Sequence, residues 1–386
     1  MVNKLADTSK SKAKAGVAPA MLDIIRDWYN RNFSDPQAVI LALLLLVLFG
    51  LLWLFGDILA PVFVALVLSY LLEGVVAQTE KWGIPRTLSV TVVLLIFIAL
   101  SLLVLFVLLP VLSQQLTGIV RELPGMITKG QQQLLRLPEL YPEIFTVEQI
   151  NEMIANFGNE AGNIGQSILS FSLARLGTIV VISVYAVLVP FMVFFTLKDK
   201  EKLLSWASNF VPRRSELSFQ VWREVDQKIA NYIRGKFVEI VIVWAATYLV
   251  FAVMGLNYSL LLSFLVGLSV IIPYVGAVVV TVPIALIAFF QWGFTAKLGY
   301  LLFVYQLVQV LDGNVLVPLL FSEVVNLHPL AIIVAVLFFG GLFGIWGVFF
   351  AIPLATLIQA VLNAWPRDSK REARKEKSAT TVPAKS

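Results

Sequence analysis

Apolar and polar positions fall in long separate blocks along this chain, and the apolar blocks are of membrane length. Residues 38–72 carry a single charge, Asp57. That run suits two spans of about 17–20 residues, turned near Gly56 and Asp57 and followed by Pro61. Glu73, Glu80, Lys81 and Arg86 mark a short polar loop, and 88–112 makes a third span. A fourth run, 168–197, holds only Arg175 and is stopped by the charges of 198–202. From 240 to 365 three side chains are formally charged: Lys297, Asp312 and Glu323. Short spans at 237–254 and 298–312 are each followed by an apolar run, 259–290 and 329–362. At about 1.5 Å per residue, straight helices of about 32 residues would reach nearly 50 Å, against a hydrocarbon core of about 30 Å. Both runs also contain breakers: Pro273, Gly276 and Pro283 in the first, Gly340, Gly341, Gly344, Gly347 and Pro353 in the second. Each is therefore one long tilted span or two half-helices forming a re-entrant hairpin. In the hairpin case the two span-plus-hairpin units have opposite orientations, as in inverted-repeat transporters.

The polar blocks set the sidedness. Residues 1–36 form a basic segment followed by an amphipathic stretch, in which Met21, Leu22, Ile25, Trp28 and Tyr29 oppose Asp23, Arg26 and Asp27. This pattern suits a helix in the headgroup plane, or a plain linking helix. No apolar region follows the basic start directly, so it does not read as a cleavable signal. After the spans of 37–112, residues 113–165 hold three basic side chains against six acidic ones and are interrupted by Pro124, Pro138 and Pro142. They read as an extracytoplasmic cap of short helices. Beyond the span in 166–197, residues 198–236 form cytoplasmic amphipathic helices, with Leu217, Val221, Val225 and Ile229 in one stripe. The membrane core follows at 237–365, and the basic tail, 366–386, reads as disordered and cytoplasmic. With both ends inside, the crossings number eight, or six with two hairpins. The fold class is thus all-α: a polytopic helical membrane protein with about eight embedded segments, two of them broken or re-entrant.

Composition agrees. Of 386 residues 59% are hydrophobic and 14% charged, a balance that could not cover a soluble surface. The net charge of +5 reads as the basic bias of cytoplasmic loops rather than a nucleic-acid surface, and the partner is the lipid bilayer. There is no cysteine, one histidine, no P-loop and no dinucleotide fingerprint. No metal or cofactor is expected, and no enzyme: paired carboxylates or a serine–base site for an intramembrane hydrolase are not evident.

Broken membrane helices expose backbone groups that must be buried in protein or line a wet cavity. The clearest break is Ile272-Pro273-Tyr274-Val275-Gly276: Pro273 removes a donor, Gly276 permits close approach and Tyr274 offers a hydroxyl. It is a solute or ion site, or a packing kink. Gln306, Gln309, Asp312 and Asn314 cluster at the end of the next span, with Gln309 and Asp312 on one helix face. Glu323, Asn326 and His328 follow. A carboxylate at membrane depth marks an ion or proton path; at the surface the same residues are a polar loop. His328, before Pro329, suits a helix start. Arg234 and Lys236 are placed to anchor on lipid phosphates, or Arg234 to hold a carboxylate and lock the cytoplasmic segment to the core. Gly340 and Gly344 permit close helix approach, within the chain or between subunits.

Several of these motifs resemble one family in their order. They are Gly83-Ile84-Pro85-Arg86, Tyr232-Ile233-Arg234-Gly235-Lys236, Ile272 to Gly276, and Asp312-Gly313-Asn314 through Pro318. Leu327-His328-Pro329-Leu330 and Gly340 through Pro353 complete the set. The pattern over roughly 20–365 is similar to the autoinducer-2 exporter family. Phe33-Ser34-Asp35-Pro36 and Leu123-Pro124-Gly125-Met126 resemble its PerM-type permease branch. Where members often have an acid directly before the asparagine, this chain has Asp312-Gly313-Asn314. The resemblance implies a homo-oligomeric permease of the bacterial inner membrane that moves a small polar solute such as autoinducer-2, or monovalent cations and protons. With it, the residues suggest a secondary transporter in which Asp312 is the coupling carboxylate. The alternatives are a Na+(Li+)/H+ antiporter, a passive oligomeric channel and a membrane scaffold.

Overall fold

The computed structural model describes residues 36–135, 146–149, 151–152, 176–208, 216–321 and 327–364. The described residues are helical and joined by short turns, as the apolar blocks predict. Among the described residues six helices can cross a membrane by length and composition, or seven if one bent pair counts as a span. The amphipathic stretch before Pro36, the tail, Glu323, and the cap beyond Leu135 apart from 146–149 and 151–152 lie outside the described residues. Two compact units divide the chain. The smaller is Met1–Gly56 with Ala207–Asp226 and Thr356–Ser386. The larger, Asp57–Trp206 with Gln227–Ala355, holds every contact discussed below.

Helix α1, Pro36–Lys81, runs 46 residues with Pro61 inside it. The turn expected near Gly56 and Asp57 is absent, so one helix stands where two spans were predicted. A turn there would strand the backbone groups of two new helix ends in apolar surroundings. Keeping Gly56 helical costs only about 1 kcal/mol. Helix α2, Arg86–Leu134, is 49 residues long and contains Pro110 and Pro124. The predicted break at Pro124 is likewise absent, and residues 113–134 continue this helix. Helix α3, Leu176–Lys198, ends at the predicted charge run, and α4, Lys200–Ser208, continues after an 82° bend. Helix α5, Glu216–Met254, joins the predicted cytoplasmic helix and the next span into one 39-residue element. The side chains of Leu217, Val221 and Val225 lie outside the described residues.

The first of the two long runs is broken at Pro273 and the second at Gly344, while Pro283 and Pro353 lie within helix. Helix α6, Ser259–Ser269, and α7, Val275–Trp292, are separated by residues 270–274. Gln291 closes the base of this pair: its Nε2 donates to the Gly255 carbonyl, and its Oε1 accepts the Asn257 N–H, both at 2.8 Å. The end of α7 therefore lies beside the start of α6, which makes the pair a helical hairpin. At 11 residues α6 reaches only about 16 Å, too short to cross. Helix α8, Ala296–Leu311, passes through a π-helical turn, Asp312–Leu316, into α9, Val317–Phe321. Helix α10, Pro329–Ala364, is interrupted at Gly344, with φ 58° and ψ −138°. A Cβ on Gly347 would collide with the Phe339 carbonyl, and one on Gly340 would lie 2.8 Å from Val348 Cγ2. Residues eight apart in an unbroken helix are separated by about 12 Å, so the chain doubles back at Gly344. Both runs are broken and fold back as helical hairpins.

Two apolar clusters hold the larger unit. Ala65, Leu72, Val76, Val90, Val93, Leu94, Val189, Val193 and Leu197 pack α1, α2 and α3 together. Val243, Phe251, Leu262, Val266, Ile284, Ala288, Leu301 and Tyr305 do the same for α5 through α8. Lipid offers no hydrophobic drive between helices, so contact depends on close approach. Gly267 supplies it, since a Cβ there would lie 2.7 Å from Trp244 Cβ and 3.0 Å from the Ile240 carbonyl.

A polar clamp joins the ends of α1, α2 and α3. Gly83, at φ 85°, makes the turn out of α1, and its N–H donates to the Glu80 carbonyl. Pro85 then leads into α2. Arg86 donates to Glu80 at 3.1 Å, to Glu73 at 3.2 Å and to the Leu197 carbonyl at 2.6 and 3.0 Å. Lys200 adds a 3.0 Å ion pair to Glu73.

The far part of α2 packs on the base of the first hairpin. Gln115 accepts the Leu261 N–H at 2.9 Å, and Phe290 packs on Gly130. Tyr258 lies against Gly118, and its hydroxyl donates to Glu122. Burial and that carboxylate push the hydroxyl up to about 12. Gln291→Leu is expected to open this base. Amide exchange at Leu256 and Asn257 should speed up about tenfold, the equivalent of about 1.4 kcal/mol, while exchange in α3 stays unchanged.

Candidate functional site

The first hairpin tip follows from its sequence. At the end of α6 the turns tighten: Ile271 N–H donates to Leu268 and Ile272 N–H to Ser269. The next donor in that register would be residue 273, a proline, so the Val270 carbonyl lacks its partner. Tyr274 turns the chain at φ 64° and ψ −44°. Gly276 then lets the first turn of α7 press on the last carbonyl of α6, because a Cβ there would collide with Ser269. The Val270 carbonyl is taken instead by Lys236 of α5, whose Nζ donates at 3.0 Å.

Lys236 is the hub of a buried polar cluster. Its residue is 4% exposed and that of Glu239 2%. The two form a 2.6 Å ion pair, yet the approach is too oblique to satisfy Glu239 Oε2 as a hydrogen bond. The Phe321 ring lies 5.2 Å from the ammonium. Glu239 sits next to the midpoint of the candidate span Asp226–Met254. Gln309 Nε2 of α8 and Asp312 Oδ1 of the π-helical turn are buried without hydrogen-bond partners. Asp312 lies within electrostatic reach of both Lys236 and Glu239. One ammonium thus faces two carboxyl groups, beside a helix break and a π-helical turn, a geometry that recurs at functional sites. Among the described residues no group of three or more His, Cys, Asp or Glu could hold a metal ion.

The structure brings Pro273, Gly276 and Asp312 to this cluster or its adjoining tip, with Gln309 buried three residues before Asp312. Tyr274 stands at the tip but is 56% exposed. Asn314 turns away: exposed, it donates through Nδ2 to the Val310 carbonyl of its own helix. His328 accepts the Leu330 N–H at 3.2 Å and starts α10, as its place before Pro329 suggests. Among the described residues Arg234 pairs with no carboxylate; its Nε donates to the Tyr70 carbonyl of α1 at 3.2 Å, and its side chain packs on Gly74. Gly340 and Gly344 serve the second hairpin within the chain.

Three residues of the site were missed in sequence: Tyr232, Glu239 and the buried role of Lys236. Their signal was available, since positions 232, 236 and 239 share one helix face. Tyr232 is buried, with its hydroxyl donating to the Phe349 carbonyl of the second hairpin at 3.0 Å.

Residues 41–367 match the family model described as AI-2E family transporter. Over 346 residues, 90% of this chain and 98% of the relative, the sequence is 48% identical to a protein of Escherichia coli K12 named Putative permease PerM. It is 29% identical over 309 residues to Putative transport protein YueF of Bacillus subtilis, covering 78% of this chain and 82% of that one. It is 23% identical over 326 residues to AI-2 transport protein TqsA of Escherichia coli K12, covering 84% and 91%.

Proposed function

We propose, of a chain that belongs to the AI-2E transporter family, that it is a secondary transporter moving a small, uncharged polar solute across the bacterial inner membrane. The observation that carries this reading is that Gln309 Nε2 and Asp312 Oδ1, near the middle of the candidate span Ala296–Phe321, are buried and unpaired, with Asp312 in electrostatic reach of Lys236. A donor and an acceptor side by side suit a hydroxylated solute. The relative named for AI-2 transport supplies the solute to try first: autoinducer-2, small, polyhydroxylated and uncharged. With both carboxyls ionised, the cluster needs one more positive charge for balance, which gives Asp312 a coupling role filled by a proton or cation. The density of basic residues after α3 and in the tail supports a cytoplasmic C-terminus.

The test is solute flux in proteoliposomes with the purified chain. Autoinducer-2 is expected to move down an imposed gradient, and Asp312→Asn is expected to cut the flux at least about tenfold, with insertion and elution unchanged. Full flux in that variant would remove Asp312 from the path. Sodium-dependent proton movement without solute flux would overturn the solute reading in favour of cation/proton exchange.

A further inference from the structure

The second hairpin repeats the chemistry of the first. Within α10 the Phe349 carbonyl should accept from residue 353, four positions on, but that residue is Pro353 and has no N–H. The hydroxyl of Tyr232 donates to it at 3.0 Å. In the first hairpin Pro273 leaves the Val270 carbonyl open, and the ammonium of Lys236 donates to that one at 3.0 Å. Tyr232 and Lys236 are four residues apart on α5, one turn apart on one face. Each hairpin thus has a carbonyl freed by a proline, and one turn of α5 holds both. Each bond also lies in surroundings where water cannot readily replace it, since Tyr232 is 1% and Lys236 4% exposed. The intervening residues fix that turn in place: Arg234 bonds α1, and Gly235 lets the Phe321 ring of α9 approach to about van der Waals contact.

We propose that Tyr232 and Lys236 are paired latches, the tyrosine for the α10 hairpin and the lysine for the α6–α7 hairpin, and that each hairpin leaves α5 only when its own bond is broken. They are positioning residues. The proposal rests on the transport reading only in taking release to accompany turnover; the latch itself is testable without any solute.

The chain has no native cysteine, so single reporters are clean. Val266→Cys reports the first hairpin from a position buried against α5, and Ile352→Cys reports the second from a buried position in the returning half of α10. Labelling by a small maleimide is timed in membranes. Lys236→Met alone would leave Glu239 buried and unpaired, so the lysine is removed as Lys236→Met with Glu239→Gln. That pair is expected to speed labelling at position 266 about tenfold and to leave position 352 unchanged. Tyr232→Phe is expected to do the reverse. Glu239→Gln alone keeps the ammonium on Val270 and should leave position 266 protected.

Acceleration at both reporters by either change, or at neither, would overturn the proposal, as would Glu239→Gln matching the double variant. If the methionine pair does not insert, Lys236→Gln with Glu239→Gln replaces it. Glutamine keeps a donor but is too short for the carbonyl, and the same two-reporter pattern decides. Loss of autoinducer-2 flux with the selective labelling pattern intact would count against the transport reading alone.

Discussion

Gly276→Ala is expected to prevent this protein from folding in the membrane. The Cβ would have to occupy the position of the Ser269 carbonyl, with that residue's Cβ only 3.0 Å away. The colliding atoms are backbone at the end of α6, pinned on its other side where Gly267 lies against Trp244, so no side chain can swing away. Overpacking of a core by a methylene costs about 1–3 kcal/mol where neighbours can relax. Here the alternative is separation of α6 from α7 and loss of the Lys236 contact. The measurement is the yield of a monodisperse peak in mild detergent. Gly341→Ala, where a Cβ meets nothing within 4 Å, is the control and should behave as the parent. Parental yield and melting temperature for Gly276→Ala would show that the hairpin is not packed as described.

Arg86→Leu is expected to have the second large effect. The guanidinium faces two carboxylates and the carbonyl of Leu197 near the end of α3. Removing it leaves Glu73, whose side chain is 16% exposed, with Lys200 as its one ion-pair partner among the described residues, and leaves Glu80 without this contact. Breaking a buried pair costs about 3–5 kcal/mol, and partial exposure of this one lowers the figure to about 2–3 kcal/mol. Arg86→Lys should recover only part of it, because one ammonium cannot present the fork that reaches Glu80, Glu73 and the carbonyl together. Thermal unfolding of the three forms should rank parent, lysine, leucine. Equal stability of the lysine and parent forms would reduce the clamp to a simple point charge.

The membrane core was legible in sequence because its signals are ones of length and exclusion. A run of about 32 apolar residues cannot cross straight, and Pro273, Gly276 and Gly344 mark where it must bend. Asp312 stood out because its neighbours are apolar. The failures share a different cause. Gly56 with Asp57, and Pro124, look like breaks when propensity is read alone. In lipid, ending a helix is harder than tolerating a poor residue within one. Lys236 and Glu239 were hidden by counting charges in blocks: they close a basic stretch, and nothing in composition shows that α5 carries that stretch into the core. Asn314 has the right chemistry but spends its amide on its own helix. Which way a side chain turns at a π-helical step cannot be read from spacing.

The backbone at Tyr274 sets the balance of the first hairpin. An aromatic residue at φ 64° and ψ −44° is outside the regions that a side chain tolerates well, and such a conformation stores about 1–3 kcal/mol. The bond from Lys236 contributes a similar amount in the opposite direction, about 1–3 kcal/mol for a donor that is charged. The strained backbone and the Lys236 bond thus oppose one another at the tip, and the apolar packing of α6 and α7 adds to the bond's side. On the proposed latch, breaking the Lys236 bond leaves the strain at Tyr274 unopposed by that bond and so favours release of the tip.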